Sequence, residues 1–188
     1  MTSLQRLAQG IDGFNDVVGK AAAWTALAMV LIQFIVVVMR YVFGLGSIMM
    51  QESVVYLHAF LFMVGAGYTL LHGGHVRVDV FYREASDRWK SWIDLAGVFV
   101  FLLPVCLLVW WFSFPYVENS WKVFEGSKET SGIQGVFLLK SVILAFAFLV
   151  AIQGVSMAIR SFLRLLRLAG VVTPDPGTQR PAGRPGSR

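Results

Sequence analysis

Four stretches of this chain carry no Asp, Glu, Lys or Arg: Ala21–Met39, Ser53–Leu71 and Ser141–Ile159, each of 19 residues, and Leu95–Val117, of 23. No other feature constrains the fold as strongly. A strand rarely exceeds ~10 residues, so runs of this length are helices. At 1.5 Å per residue, 19 residues make a rod of about 28 Å, close to the hydrocarbon thickness of a bilayer. Helices also close their own backbone hydrogen bonds, which lipid demands. The expectation is an all-α membrane protein with four transmembrane helices, at about 21–43, 52–72, 92–114 and 135–160. Composition agrees, because a 188-residue chain that is 56% hydrophobic and 14% charged has more apolar surface than one small globule can bury. A soluble enzyme is excluded.

The charges that remain are placed unevenly. Arg6 and Lys20 precede the first span. Arg77, Arg83, Arg88 and Lys90 lie between the second and third, and Arg160, Arg164, Arg167, Arg180, Arg184 and Arg188 follow the fourth. That puts 12 of the 16 basic residues on one side of the membrane, with Lys122 and Lys128 on the other and Arg40 and Lys140 at span edges. The positive-inside bias then places both termini and the middle loop in the cytoplasm. The net charge of +5 is a topology signal, and no nucleic-acid partner is implied. Trp24, Trp89, Trp92, Trp110, Trp111 and Trp121 fall at or near span ends, where their amphipathic rings suit the headgroup level.

The flanks are expected to differ from the 21–160 membrane domain. In residues 1–20, Leu4, Leu7, Ile11, Phe14 and Val18 recur at three- and four-residue steps, the stripe of an amphipathic helix lying at the inner surface. This is not a cleaved signal peptide, since the apolar block is too long and RYVFG follows it in place of a small-residue cleavage site. Residues 161–188 form a basic extension, its arginines near acidic headgroups, and a Pro-rich tail expected to be disordered.

Catalytic patterns are missing. The sequence has no G-x-x-x-x-G-K-[ST], no H-E-x-x-H, no G-x-S-x-G and one cysteine, Cys106. His58, His72 and His75 cluster on the second span and its exit, whereas bis-histidine haem needs ligands facing one another from different helices. The expectation is a protein that is not an enzyme and holds no cofactor or metal. No acidic residue occupies the centre of a span, which argues for a subunit over a self-sufficient ion antiporter. Two alternatives from other classes stay open on the residues alone: a membrane anchor of a redox complex, and a small four-helix multidrug exporter.

Two places stand out. One is Arg40-Tyr41-Val42-Phe43-Gly44 followed by Glu52 across a short connection, where an Arg40–Glu52 pair is expected. The other is His75-Val76-Arg77-Val78-Asp79 at the exit of the second span, before a Val80–Lys90 segment that suits a short interfacial helix. Gly65, Gly67, Ala147, Ala151 and Gly154 are small residues suited to close helix packing, and Pro104 is expected to kink the third span.

RYVFG at 40–44, Glu52, Gly65 and HVRVD at 75–79, set on four spans, resemble the small membrane subunit of tripartite ATP-independent periplasmic (TRAP) transporters over roughly Gly19 to Arg160. The resemblance implies a multi-pass protein of the bacterial inner membrane. It further implies a large permease partner that holds the sodium and substrate sites, a periplasmic solute-binding protein, and symport of a dicarboxylate or other organic acid. The small subunit would be a static scaffold. Arg40, Glu52, Gly65, His75, Arg77 and Asp79 are the positions that the resemblance singles out as structural or partner-facing.

Overall fold

The computed structural model describes residues 3–74 and 86–170. These residues are helical without strands, and four helices are long and apolar enough to cross a membrane. They are α1 (Ser3–Val42), α2 (Ile48–Leu71), α3 (Asp87–Lys122) and α4 (Val136–Leu168). This multi-pass membrane architecture is the one expected from the four uncharged stretches.

The helices outrun those stretches. α1 has 40 residues, about 60 Å at 1.5 Å per residue, and it has no break near residue 20. Of the segment expected to be separate, 1–20, the described residues 3–20 are the first half of the same rod. Most of its apolar stripe is not what packs against the bundle: Leu4, Leu7 and Phe14 are exposed and only Val18 reaches the core, while Ala8, Asn15, Gly19 and Ala22 are buried. In its first half the bundle-facing side of α1 is therefore mainly small and polar, Val18 apart, and Leu4, Leu7 and Phe14 point outward. α4 likewise continues past Ile159 through Arg160, Arg164 and Arg167 to Leu168.

Local chemistry explains the ends. Gly44 closes α1 with φ +67°, a conformation only glycine adopts without strain, and the Leu45 N–H then bonds the Met39 carbonyl at 3.0 Å. This accounts for the glycine of RYVFG. Ser47 caps α2 by accepting from the Met50 N–H, and Ser86 caps α3 by accepting from that of Trp89. Within α3, Val98–Leu102 widens into a π-turn, with the Leu103 N–H reaching the Val98 carbonyl. Pro104 lacks an N–H and its ring crowds the preceding turn, so the expected kink is taken up as this bulge.

α4 is the central helix and packs against the other three, while α1 and α2 form an antiparallel hairpin. Ala22, Val64 and Leu149 make the innermost apolar cluster, with Val18, Val142 and Ile152 against it. α3 rests on α4 and leaves a seam facing α2. Outward sit Trp24, Phe34, Phe62, Leu107, Trp111 and Phe112, all well exposed. A soluble protein does not tolerate such a belt, but a bilayer covers it.

Close approach depends on specific glycines. A Cβ on Gly19 would stand 2.2 Å from the Tyr68 Cβ, so α1 and α2 touch there backbone to side chain. Gly154 similarly receives Leu102 of the π-turn at 2.4 Å. Gly65, expected among the packing glycines, behaves differently: nothing lies within 4 Å of its Cβ position, and it lines an open groove with Ala23 and Phe62. Gly67 is the packing position, two residues on and about 200° around the helix.

Candidate functional site

Polar side chains gather at the two ends of the bundle. Where α1 begins and α4 ends, one carboxylate oxygen of Asp12 pairs with the Arg160 Nη2 at 2.5 Å and accepts from Ser156 Oγ at 2.6 Å and Gln153 Nε2 at 3.0 Å. The Gln153 Oε1 in turn accepts from Asn15 Nδ2 at 2.8 Å. Asn15 and Gln153 are each 1% exposed. The Asn15 Oδ1 has no hydrogen-bond partner and points at Gly67, where a Cβ would stand 2.4 Å away. One turn on, Asp16 pairs with Lys20 at 2.6 Å and faces His72 at 3.8 Å. This network ties the start of α1 to the end of α4 across nearly 150 positions of sequence.

Helical spacing explains the convergence. Asp12, Asn15 and Gly19 lie at steps of three and four on one face, as do Gln153, Ser156 and Arg160. In sequence the apolar stripe of residues 1–20 overshadows this polar one. The signal was present, since Asp12 and Asn15 on one helix share the period of Gln153, Ser156 and Arg160 on another, but nothing local said that they face each other.

At the opposite end, Glu52 in the second turn of α2 accepts from Ser127 Oγ at 2.5 Å and from the Ile133 backbone N–H at 2.6 Å. The expected Arg40–Glu52 pair is absent. Arg40 is exposed and has no ion pair among the described residues, and Glu52 latches the α3–α4 connection instead. Two interfacial charges gain little by pairing in water, whereas a loop N–H shielded by the bundle must find an acceptor. Replacing Glu52 with Ala is expected to speed amide exchange at 127–133 several-fold while the four helices stay protected. Unchanged exchange would refute the latch.

Beside it lies a second cluster. Lys140, 14% exposed, pairs with Glu125 and stands 4.0 Å from the centroid of the Tyr116 ring. Ser120 Oγ donates to Glu125 at 2.7 Å, and Trp121 Nε1 donates to Ser141 Oγ at 2.8 Å. Lys140, at the edge of its span, thus has its partner in the connection that follows α3. The Lys140 ammonium, and after it the Ser120 hydroxyl, hold the Glu125 carboxyl below the usual glutamate range. Glu125 therefore binds its proton less readily folded than unfolded. The resulting stability is complete above the ordinary value of about 4.3 and is lost as pH falls through the folded-state value. The unfolding midpoint should hold steady from pH 8 to 6 and fall in acid, with Glu125→Gln removing part of that fall. Parallel profiles for the two proteins would contradict the assignment.

Of the positions singled out in sequence, His75, Arg77 and Asp79 lie outside the described residues, as does most of the Val80–Lys90 segment. Arg40 and Gly65 both face outward, at opposite ends of the α1–α2 hairpin. Among the described residues no group of three or more His, Cys, Asp or Glu is placed to hold a metal ion.

The comparisons with known proteins now bear on the whole arrangement. Residues 29–166 match the family described as tripartite ATP-independent periplasmic transporters, DctQ component. The chain belongs to that family. The match runs from the middle of α1 to the last turns of α4, so it takes in every helix of the bundle. Among curated proteins, the C4-dicarboxylate TRAP transporter small permease protein DctQ of Vibrio cholerae serotype O1 is 31% identical over 98 residues, covering 50% of this chain and 42% of that protein. The chain thus spans less than half the length of this DctQ relative. No solved structure matches.

Proposed function

We propose that this DctQ-family chain is the small integral-membrane subunit of a TRAP-type secondary transporter in the bacterial inner membrane, with both termini in the cytoplasm. It scaffolds a large permease for sodium-gradient-driven, binding-protein-dependent uptake of a carboxylate-type solute. The observation that carries this reading is the family match across residues 29–166. The placement of charge supports it: in the described spans, ionised side chains cluster toward helix ends and are absent between Lys20 and Arg40, Glu52 and Leu71, Asp94 and Glu118, and Lys140 and Arg160. A chain built this way braces a transport site held elsewhere. The V. cholerae relative's name suggests a C4-dicarboxylate as the first solute to try.

The test is reconstitution. Co-expressed with a large TRAP permease subunit from the same organism, the chain should co-purify in a fixed ratio. Proteoliposomes containing both should take up succinate when given an inward sodium gradient and the binding protein. Failure to associate sinks the reading, and uptake that is equally fast without this chain removes its scaffolding role. Orientation has its own check. With Cys106 replaced by Ala, Ser131→Cys should react with an impermeant maleimide in intact cells, and Ser3→Cys only after permeabilisation. The reverse pattern would invert the topology.

A further inference from the structure

The seam between α2 and α3 is amphipathic along its length. At the end where α4 finishes, a polar cleft of about 200 Å³ is walled by Leu70, Gly73, Gln153, Arg160, Ser161 and Arg164, with Asp94 on the α3 side. Deeper along the same seam an apolar groove of about 320 Å³ runs over Gly97, Phe101, Cys106, Val109, Phe146 and Val150. Leu70 lines both, so the two adjoin across that side chain.

Charge and length select the occupant. Arg160 is committed to Asp12 through one nitrogen, and Asp94 is engaged within the chain. Arg164 has neither an ion pair nor a side-chain hydrogen bond among the described residues, so its guanidinium offers a fork of donors suited to a phosphodiester. From Gly97 to Val109 the helix rises about 18 Å, close to the depth of one leaflet of a ~30 Å hydrocarbon core. Gly97 keeps the groove open, since nothing lies within 4 Å of its Cβ position. The π-turn at Val98–Leu102 forms part of the same wall. A cationic mouth over a leaflet-deep apolar slot matches one molecule abundant in a membrane, whereas a soluble anion would leave the slot empty.

We propose that this seam is a binding site for a glycerophospholipid, its phosphate on Arg164 and one acyl chain in the groove beneath Gly97. The lipid would complete the bundle where α3 leaves α2. The inference concerns this chain alone and stands or falls separately from the transport reading.

The full chain, purified in mild detergent, should retain one phospholipid by native mass spectrometry, and delipidated protein should regain it on titration with phosphatidylglycerol. Inorganic phosphate and diacylglycerol, each offering half of the recognition, should not bind to the same occupancy. Arg164→Gln is expected to lower occupancy at least fivefold, Arg164→Lys less, and Lys122→Gln at the opposite end not at all. Gly97→Leu, which fills the groove from an unhindered position, should lower occupancy at least fivefold with the unfolding midpoint unchanged. Occupancy unaffected by both Arg164→Gln and Gly97→Leu overturns the proposal. So does loss of the lipid when the large permease is bound, which would make the seam a protein interface.

Discussion

Gly19→Ala is expected to destabilise the bundle by about 1–3 kcal/mol, the range for forcing extra atoms into a packed contact. The direction is opposite to what helix propensity alone dictates, because replacing an interior glycine with alanine is worth up to about 1 kcal/mol in favour of the helix. At Gly19 the contact wins. The added Cβ would stand 2.2 Å from the Tyr68 Cβ and 2.4 Å from its Cγ, and neither atom is the free end of a flexible side chain. α2 has to move as a body. Gly10 and Gly13 supply the contrast on the same helix, with nothing within 4 Å of their Cβ positions. Alanine there should be neutral or stabilising. The decisive measurement is a double-mutant cycle by unfolding in mixed micelles. In a Tyr68→Gly background both the Cβ and the Cγ that block the site are gone, so Gly19→Ala should cost less than ~0.5 kcal/mol, and the coupling should exceed ~1 kcal/mol. Additive effects would mean that α1 and α2 do not meet at this point.

The membrane spans were legible because lipid imposes a strict rule. A run of about 19 residues without charge is long enough to cross, and few other folds need one. The family could be read from RYVFG, Glu52 and HVRVD, and residues 29–166 match it. The helix ends beyond the bilayer were less visible, because α1 and α4 continue through charged residues where hydropathy gives no signal. In that region Asp12 and Asn15 of α1 find their partners in Gln153, Ser156 and Arg160 of α4.

Pairing was the hardest part to read. Arg40 and Glu52 stand close in sequence with opposite charge, yet Glu52 serves Ser127 and Ile133, 75 and 81 positions downstream. Sequence neighbours across a turn are a weak guide once helix rotation has set which way each side chain points. Gly65 and Gly67 make the same point. Both are small, but a two-residue step turns the helix by about 200°, so both cannot face one neighbour. Only the tertiary arrangement decides that Gly67 meets Asn15 while Gly65 lines an open groove.

Gln153→Leu is expected to cost about 1–3 kcal/mol, although leucine is the more hydrophobic residue and the site is almost fully buried. The cost comes from what is left behind. Asn15 would lose the one hydrogen bond made by its buried side chain, since its Oδ1 already lacks a partner. A buried polar group without a partner bears its full desolvation penalty, whereas removing both members of a pair is much cheaper. Asp12 would keep Ser156 and Arg160 as donors, so its loss is the smaller part. The prediction is therefore a sign of coupling as well as a magnitude. In an Asn15→Ala background, Gln153→Leu should cost clearly less than in the wild type, by ~1 kcal/mol or more. Equal costs in both backgrounds would show that Asn15 and Gln153 do not depend on each other. The position of the network adds a second readout. Because it joins the start of α1 to the end of α4, Gln153→Leu should raise amide exchange in the first turns of α1 while leaving the Glu52 latch protected. Exchange that rises equally at both ends would mean that the bundle loosens as a whole.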